Sequence, residues 1–268
     1  MSDNQDWPAY LINLPGNKVR YGNSTSQLRC ANVNYALVDS VNGLDLSAAE
    51  IDAVYSASLN YWYYKAPLTP QEIACYLSHK AAWARFLSSD SDYCLIMEDD
   101  FRIYDSISFK SLVDSLAPCK IGISWDVIKL FVLKRPRLRI VKRIFSECSL
   151  IRCFKVPTCM TAYLLSRSGA EKLLRSRPKF FRPVDEDIKY YWENRLDILA
   201  LDPAPVGLGQ QHAELGTVGA ARRARKKRGG TARKAWLQLK YQVRILLELL
   251  LQMPHLILSL TKDHARKS

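Results

Sequence analysis

The chain is poor in the features that mark several protein classes. Its seven cysteines (Cys30, Cys75, Cys94, Cys119, Cys148, Cys153 and Cys159) include no Cys-x-x-Cys pair, which removes the usual zinc arrangements. An odd, scattered set also argues against a disulfide framework, so reduced thiols in a cytosolic compartment are expected. The amino-terminal stretch MSDNQDWPAYLINL lacks the basic start of a secretory leader, and its apolar run is too short to export or to span a membrane. No internal repeat is present. What the chain does have is ordinary folded-protein content, 48% hydrophobic and 10% aromatic over 268 residues, enough for one large α/β domain or two small ones.

Acid is missing from one region. Residues 1–214 hold 26 Lys/Arg against 24 Asp/Glu, whereas residues 215–247 hold ten Lys/Arg and no acid, so the tail carries most of the +13 net charge. The basic run ARRARKKRGGTARK (Ala221 to Lys234) leads into the apolar AWLQLKYQVRILLELLLQMPHLILSL, which Pro254 interrupts. Lys240, Arg244, Glu248, Gln252 and His255 count against a spanning helix. Three readings of residues 215–268 remain open: an amphipathic helix on an anionic membrane surface, a helix packed on its own domain, and a nucleic-acid-binding segment. The basic run has no interleaved aromatics, which counts against the third.

Along residues 1–214 strands and helices alternate. PAYLINL reads as a first strand, and LSAAEIDAVYSASL as a helix opened by the capping box Ser47-x-x-Glu50. In LTPQEIACYLSHKAAWARFLSS, Thr69 is a cap, Pro70 opens the helix, Glu72 completes a second box, and Ile73, Leu77, Ala81 and Ala84 form an apolar stripe. CMTAYLLS reads as a strand, followed by a helix begun by Ser168-x-x-Glu171. DEDIKYYWENR reads as a helix and DILALDPAPVGL as a last strand with its exit loop. This alternation predicts an α/β fold with a mostly parallel sheet covered by helices.

One strand raises a chemical question. YCLIMEDDF (Tyr93 to Phe101) runs from apolar residues into three consecutive carboxylates, and an interior cannot hold Glu98, Asp99 and Asp100 without partners. Solvent, a helix N-terminus, a basic cluster and a bound cation are the candidate partners. Ligands gather at the carboxyl ends of parallel strands, and hard oxygen ligands suit Mg²⁺ or Mn²⁺. Alternation along an extended chain would place Glu98 and Asp100 on one side and Asp99 on the other. An acidic loop capping a neighbouring helix accounts for the triplet equally well.

The motifs YLINLPGNKVR, DSVNGLDL, LTPQEIACYLSHKAAW, CLIMEDDF, SWDVIKL, TAYLLSRSGAEKLL and RPVDEDI occur in an order and spacing that resemble glycosyltransferase family 25 over roughly residues 8 to 210. The resemblance implies a GT-A-type nucleotide-sugar-binding fold, an inverting mechanism and a UDP-sugar donor, most often UDP-galactose. It makes the triplet the metal-and-donor motif, with Asp100 and Glu98 as ligands of Mn²⁺ or Mg²⁺, His212 as a further ligand, and Asp99 on the donor. It also implies Asn13, Arg20, Glu72, Ser78 and Asp126 as donor-side residues, His79 as a participant, and Asp185 as the base that takes the acceptor proton. Bland readings stand beside these: Glu72 is already the partner of Thr69, His79 fits a buried hydrogen-bonded histidine, Asp185 fits a helix cap, and Asp126 fits a strand-end surface residue. In this chain Pro15, Gly16 and Gln71 depart from the family pattern.

Between the two halves, KLFVLKRPRLRIVKR carries Lys129, Lys134, Arg135, Arg137, Arg139, Lys142 and Arg143, expected on a solvated hairpin or on a basic arm beside the site. Together these readings describe a hexosyltransferase working peripherally on the cytoplasmic face of a bacterial inner membrane. It would act on the saccharide of lipopolysaccharide or lipooligosaccharide, with a non-catalytic membrane scaffold and a nucleic-acid-binding protein as rivals.

Overall fold

The strands Ala9–Asn13 (β1) and Tyr93–Glu98 (β3) pair in parallel, Ala9 opposite Leu95 and Ile12 opposite Glu98. Their alternate residues enter two different cores: Leu11, Leu95 and Met97 on one face, Tyr10, Ile12, Cys94 and Ile96 on the other. A strand buried on both faces needs apolar residues at every position, which is why both runs read as continuous rather than alternating.

The computed structural model describes residues 5–133, 138–144, 148–153, 155–209, 218, 222 and 231–265. After β1 come α1 (Lys18–Cys30), β2 (Ala36–Asp39), α2 (Ala48–Val54), α3 (Ala57–Tyr63) and α4 (Pro70–Leu87). After β3 come β4 (Phe101–Ile103), α5 (Ser106–Ser115), α6 (Pro118–Ile121), β5 (Val127–Lys129), β6 (Leu138–Arg143), β7 (Ser149–Cys153), β8 (Ala162–Ser166) and α7 (Arg167–Ser176). The remainder is α8 (Val184–Asp187), a 3₁₀ turn (Ile188–Tyr190), α9 (Tyr191–Asn194), β9 (Ile198–Asp202), β10 (Val206–Leu208) and α10 (Thr231–Ala265).

The main sheet has the order β2-β1-β3-β8-β5-β9-β7-β6, and β4 pairs with β10 in a small second sheet. Six of its eight strands run one way; β8 and β7 run the other, pairing antiparallel with both neighbours. Leu28 of α1, Phe109 and Val113 of α5 and Ile121 of α6 cover one face. Tyr76, Trp83 and Phe86 of α4 and Leu173 of α7 cover the other.

The capping boxes at Ser47/Glu50 and Thr69/Glu72 are both formed, with Pro70 in the first turn of α4. The α4 stripe differs from the one expected. Ala81 and Ala84 are exposed, and the buried stripe includes Glu72, Tyr76, Ser78, His79, Trp83 and Phe86. Its polar members hide from a hydrophobic pattern because each is paired inside. Downstream, α7 begins two residues earlier than Ser168 suggests, with Ser166 accepting from the Gly169 N–H. The predicted helix over DEDIKYYWENR is broken into α8, the 3₁₀ turn and α9. Asp185 is inside α8 and not its cap, a place taken by Pro183.

That broken segment is pinned by buried charge. Arg177 and Arg182 both donate to Asp187 and to Glu193, and the Tyr76 hydroxyl donates to Asp187 while its ring stacks on Phe180 at 4.0 Å. Arg182 and Asp187 are almost wholly enclosed, so each would be costly without the other.

The basic hairpin is also revised. Lys129 is no part of it: the residue is buried in β5, and its ammonium donates to the carbonyls of Pro157, Thr158 and Cys159. Arg139, Lys142 and Arg143 are in β6, at the sheet edge five strand positions from β3, or about 24 Å. The β6 part of the arm is therefore not beside the acidic triplet. Lys134, Arg135 and Arg137 lie outside the described residues.

In the tail, α10 continues through position 254 and packs Tyr241 and Ile245 on the body, where Tyr241 meets Tyr190 and Trp192. No helix among the described residues is long and apolar enough to cross a membrane.

Candidate functional site

Parallel β1, β3 and β5 end on the same edge of the sheet, and the polar residues of the chain converge there. Glu98 leaves β3 two residues after Ile96, so it emerges on the side covered by α4. His79 meets it: Nε2 is 2.9 Å from Glu98 Oε1, and Nδ1 is 2.9 Å from the Tyr163 hydroxyl. Trp83 Nε1–H donates to the same hydroxyl at 2.8 Å. An indole nitrogen only donates, so the Tyr163 oxygen accepts from Trp83 while sharing a second hydrogen bond with His79 Nδ1.

Asp99 turns the other way, toward α1. Its carboxylate accepts from Asn13 Nδ2 at 2.7 Å and Arg20 Nη1 at 2.9 Å, and its carbonyl accepts from the Ser24 hydroxyl. The alternation expected for the triplet is thus present for Glu98 and Asp99. Burial raises the Glu98 carboxyl above the ordinary carboxylate range, against the pull of His79, and the charges of Asp100 and Asp99 add to the rise. Burial likewise raises Asp99, with Arg20 opposing. A carboxylate cluster held in this way gains from any cation that reaches it.

A cleft opens above these groups, lined by Asn17, Arg20, the 40–44 loop, Cys75, Ser78, His79, Glu98 and Asp99. Ser78 braces that loop to α4 by donating to the Ala74 carbonyl and accepting from the Val41 N–H. Gly43 packs directly on the first turn of α4: an added Cβ would stand 2.6 Å from Gln71 N and the Pro70 carbonyl.

Two sets of residues present themselves for a metal. Cys75, His79 and Glu98 bring one ligand atom each within 4.8 Å of one another. Burial, with Glu98 and Asp185 adding, pushes the Cys75 thiol well up, so it keeps its proton and fits Mg²⁺ or Mn²⁺ poorly. The carboxylates of Glu98 and Asp100 are the hard oxygen donors that such ions take, and Asp99 is already engaged by Asn13 and Arg20.

The charges of Glu98, Asp185 and Asp100 all fall on the Cys75 thiol. The partner of Asp185 comes from the tail. Arg222 donates through Nη2 to Asp185 Oδ1 at 2.9 Å, through Nη1 to Oδ2 at 3.3 Å, and through Nε to Glu72 Oε1 at 2.6 Å. Glu72 therefore serves both its capping box and Arg222.

Of the residues singled out in the sequence, Asn13, Arg20, Glu72, Ser78, His79, Glu98, Asp99, Asp100 and Asp185 come together at this edge. Asp126 does not. It precedes β5 at the opposite edge of the sheet, where its carboxylate binds Lys172 Nζ and the Asp197 N–H. A strand reads the same from either end, so an acid before it and an acid after it are easily confused. His212 lies outside the described residues. Tyr163, Lys129 and Arg222 were missed: Tyr163 looked like core, and Arg222 was one of six cations in a run. Lys129 did carry a signal, a lone charge inside the apolar VIKLF.

Similarity to known proteins identifies the family. The model of glycosyltransferase family 25 (LPS biosynthesis protein) matches residues 7–188, from the start of β1 to just beyond Asp185. Procollagen galactosyltransferase 2 of Homo sapiens is 25% identical over 225 residues, covering 76% of this chain and 35% of that protein. Procollagen galactosyltransferase 1-A of Xenopus laevis is 30% identical over 186 residues, with 66% and 30% covered. Procollagen galactosyltransferase 1 of Danio rerio is 28% identical over 187 residues, with the same coverage. The chain spans about a third of the length of these curated relatives. With the match running over well over half of its residues, and through β1, β3 and β8, which carry Asn13, Glu98 and Tyr163, the chain belongs to glycosyltransferase family 25.

Proposed function

We propose that the protein is an inverting glycosyltransferase that moves a hexose, galactose by the names of its relatives, from a UDP-sugar to a saccharide hydroxyl. The observation that carries this reading is the convergence, at the carboxyl ends of parallel strands, of the buried Asp99 and Asp100 with the partly buried Glu98; His79, Glu98 and Asp99 line one cleft, and the charge of Asp185 falls on Cys75 of the same lining. Arg20 and Asn17 at the start of α1 would face the diphosphate and nucleoside side of the cleft. Held by Tyr163, His79 fixes the Glu98 carboxylate.

In the transfer, the acceptor oxygen attacks the anomeric carbon from the face opposite the diphosphate. The bond from that carbon to the diphosphate oxygen breaks, its electron pair leaves with UDP, and the acceptor proton passes to an Asp185 oxygen. Bound by Glu98 and Asp100, a Mg²⁺ or Mn²⁺ ion would neutralise the departing diphosphate. An acceptor hydroxyl must compete with Arg222 for Asp185.

For the acceptor we favour the saccharide of a lipid-anchored glycan of the lipopolysaccharide class, at the cytoplasmic face of a bacterial inner membrane. The tail composition and the seven free cysteines support that placement.

The test is UDP release from a panel of UDP-sugars with Mn²⁺, with and without lipooligosaccharide, beside calorimetric UDP binding. Acceptor-stimulated release from one donor is expected. Asp185→Asn should lose at least about 100-fold in kcat with UDP binding intact, and Asp100→Ala should lose metal-dependent UDP binding. A chain that binds no UDP in the presence of metal overturns the reading.

A further inference from the structure

The amphipathic tail helix is only half of an exposed apolar surface. On α10, Tyr241 and Ile245 face the body, while Trp236, Leu239, Val243, Leu246, Leu247 and Leu250, spaced three and four residues apart, stay exposed on the other side. Arg233, Lys240 and Arg244 run along one flank of that stripe. Each lies over an aromatic ring: Arg233 over Tyr61, Lys240 over both Tyr63 and Trp236, Arg244 over Trp192.

Two of those rings belong to α3, in the amino-terminal part of the chain. Tyr61, Trp62 and Tyr63 are consecutive and exposed, Trp62 at 68%. Arg233 also donates to the Tyr64 carbonyl, which fixes α3 beside α10. The two helices thus make one continuous surface of exposed Trp, Tyr and Leu threaded by Lys and Arg. Aromatic rings mixed with cations suit the headgroup level of a bilayer. Charge points to the sign of the lipid, because every charged residue from 215 to the start of α10 is basic.

We infer that α3 and α10 together form a docking face for an anionic lipid bilayer, with Trp62 as the insertion point contributed by the catalytic body. The inference rests on the membrane placement proposed above and adds a defined orientation to it. Tyr63 packs on Phe181, and Asn60 of the same helix donates to the Phe181 carbonyl, four residues before Asp185. A bilayer seated on α3 would bring lipid-anchored acceptors to the Asp185 side of the cleft.

The experiment is co-sedimentation of the full chain with phosphatidylcholine vesicles, with and without phosphatidylglycerol. It compares the parent with Trp62→Ser, Trp236→Ser and, as a control, Ile107→Ser, whose side chain is 93% exposed on α5. The parent should bind only the anionic vesicles. Trp62→Ser and Trp236→Ser should each weaken binding about fivefold or more, with melting temperature and soluble-acceptor turnover unchanged, and Ile107→Ser should bind like the parent. If Trp62→Ser binds as the parent does while Trp236→Ser is weakened, α3 is not part of the face and the inference falls, with the tail's membrane role intact. If the parent binds no vesicle, that underlying role falls too. Lipid-free self-association abolished by Trp62→Ser would assign the face to a second copy of this chain and overturn the inference.

Discussion

Buried polar residues decide what the individual side chains of this site can do. Lys129 shows it most plainly: enclosed in β5, it is pushed down to about 8 by loss of water, against the attraction of Asp185 and Glu98. Above pH 8 the folded chain has released this proton while the unfolded chain keeps it up to the ordinary lysine value. The unfolded state then binds more protons, and folding stability rises with pH across that window. The gain is roughly 3 kcal/mol if the whole shift is realised. Urea unfolding of Lys129→Met should show no such rise between pH 8 and 10. The variant should also be less stable than the parent throughout, since the carbonyls of Pro157, Thr158 and Cys159 lose their donor. That Glu98 and Asp99 need partners was visible in the sequence because charge at the end of an apolar run demands an explanation, whereas Asp185 was singled out only by the family resemblance. Tyr163 and Arg222 were not legible, because what matters about each is a partner more than thirty residues away.

Elements were easier to read than their faces. Capping boxes located the starts of α2 and α4 because a cap is a local hydrogen-bond pattern among four residues. The buried side of α4 was misread because Glu72, Ser78 and His79, all polar, face inward with partners supplied by other elements. Strand direction was only partly legible: alternation with helices suggested parallel pairing, but the reversed β8 and β7 are fixed by turns and registers distant in sequence. The contact between the 40–44 loop and α4 gives a test at this scale. In Gly43→Ala the new methyl would sit 2.6 Å from backbone atoms of Pro70 and Gln71, so the loop must lift off α4. A stability loss of about 1–3 kcal/mol is expected. UDP affinity, measured by titration calorimetry, should fall about tenfold, while Asp185, on another element, is undisturbed.

At the scale of the molecule, the tail and the catalytic body are joined through the site itself. Arg222, outside the span of the family match, grips Asp185 and Glu72 inside it. Arg222→Ala should lower the KM for a soluble acceptor about threefold by removing a competitor for the Asp185 oxygens, and should cost some stability by leaving Glu72 enclosed without its cation. Steady-state kinetics over an acceptor series decides the matter, and a raised KM would make Arg222 an acceptor-positioning residue instead. The order of the strands sets a different kind of limit. β8, residues 162–166, is threaded between β3 and β5, both of which precede it in the chain. During synthesis these two strands wait with unpaired edges until a later segment arrives, and the segment that closes the gap also brings the hydroxyl of Tyr163 to His79. A product cut short before residue 162 would carry every carboxylate of the triplet, yet leave an open, adhesive sheet and an imidazole held by Glu98 alone. Insertion of β8 and the bracing of His79 are one event in the life of the chain, with Asp185 and β9 still to follow.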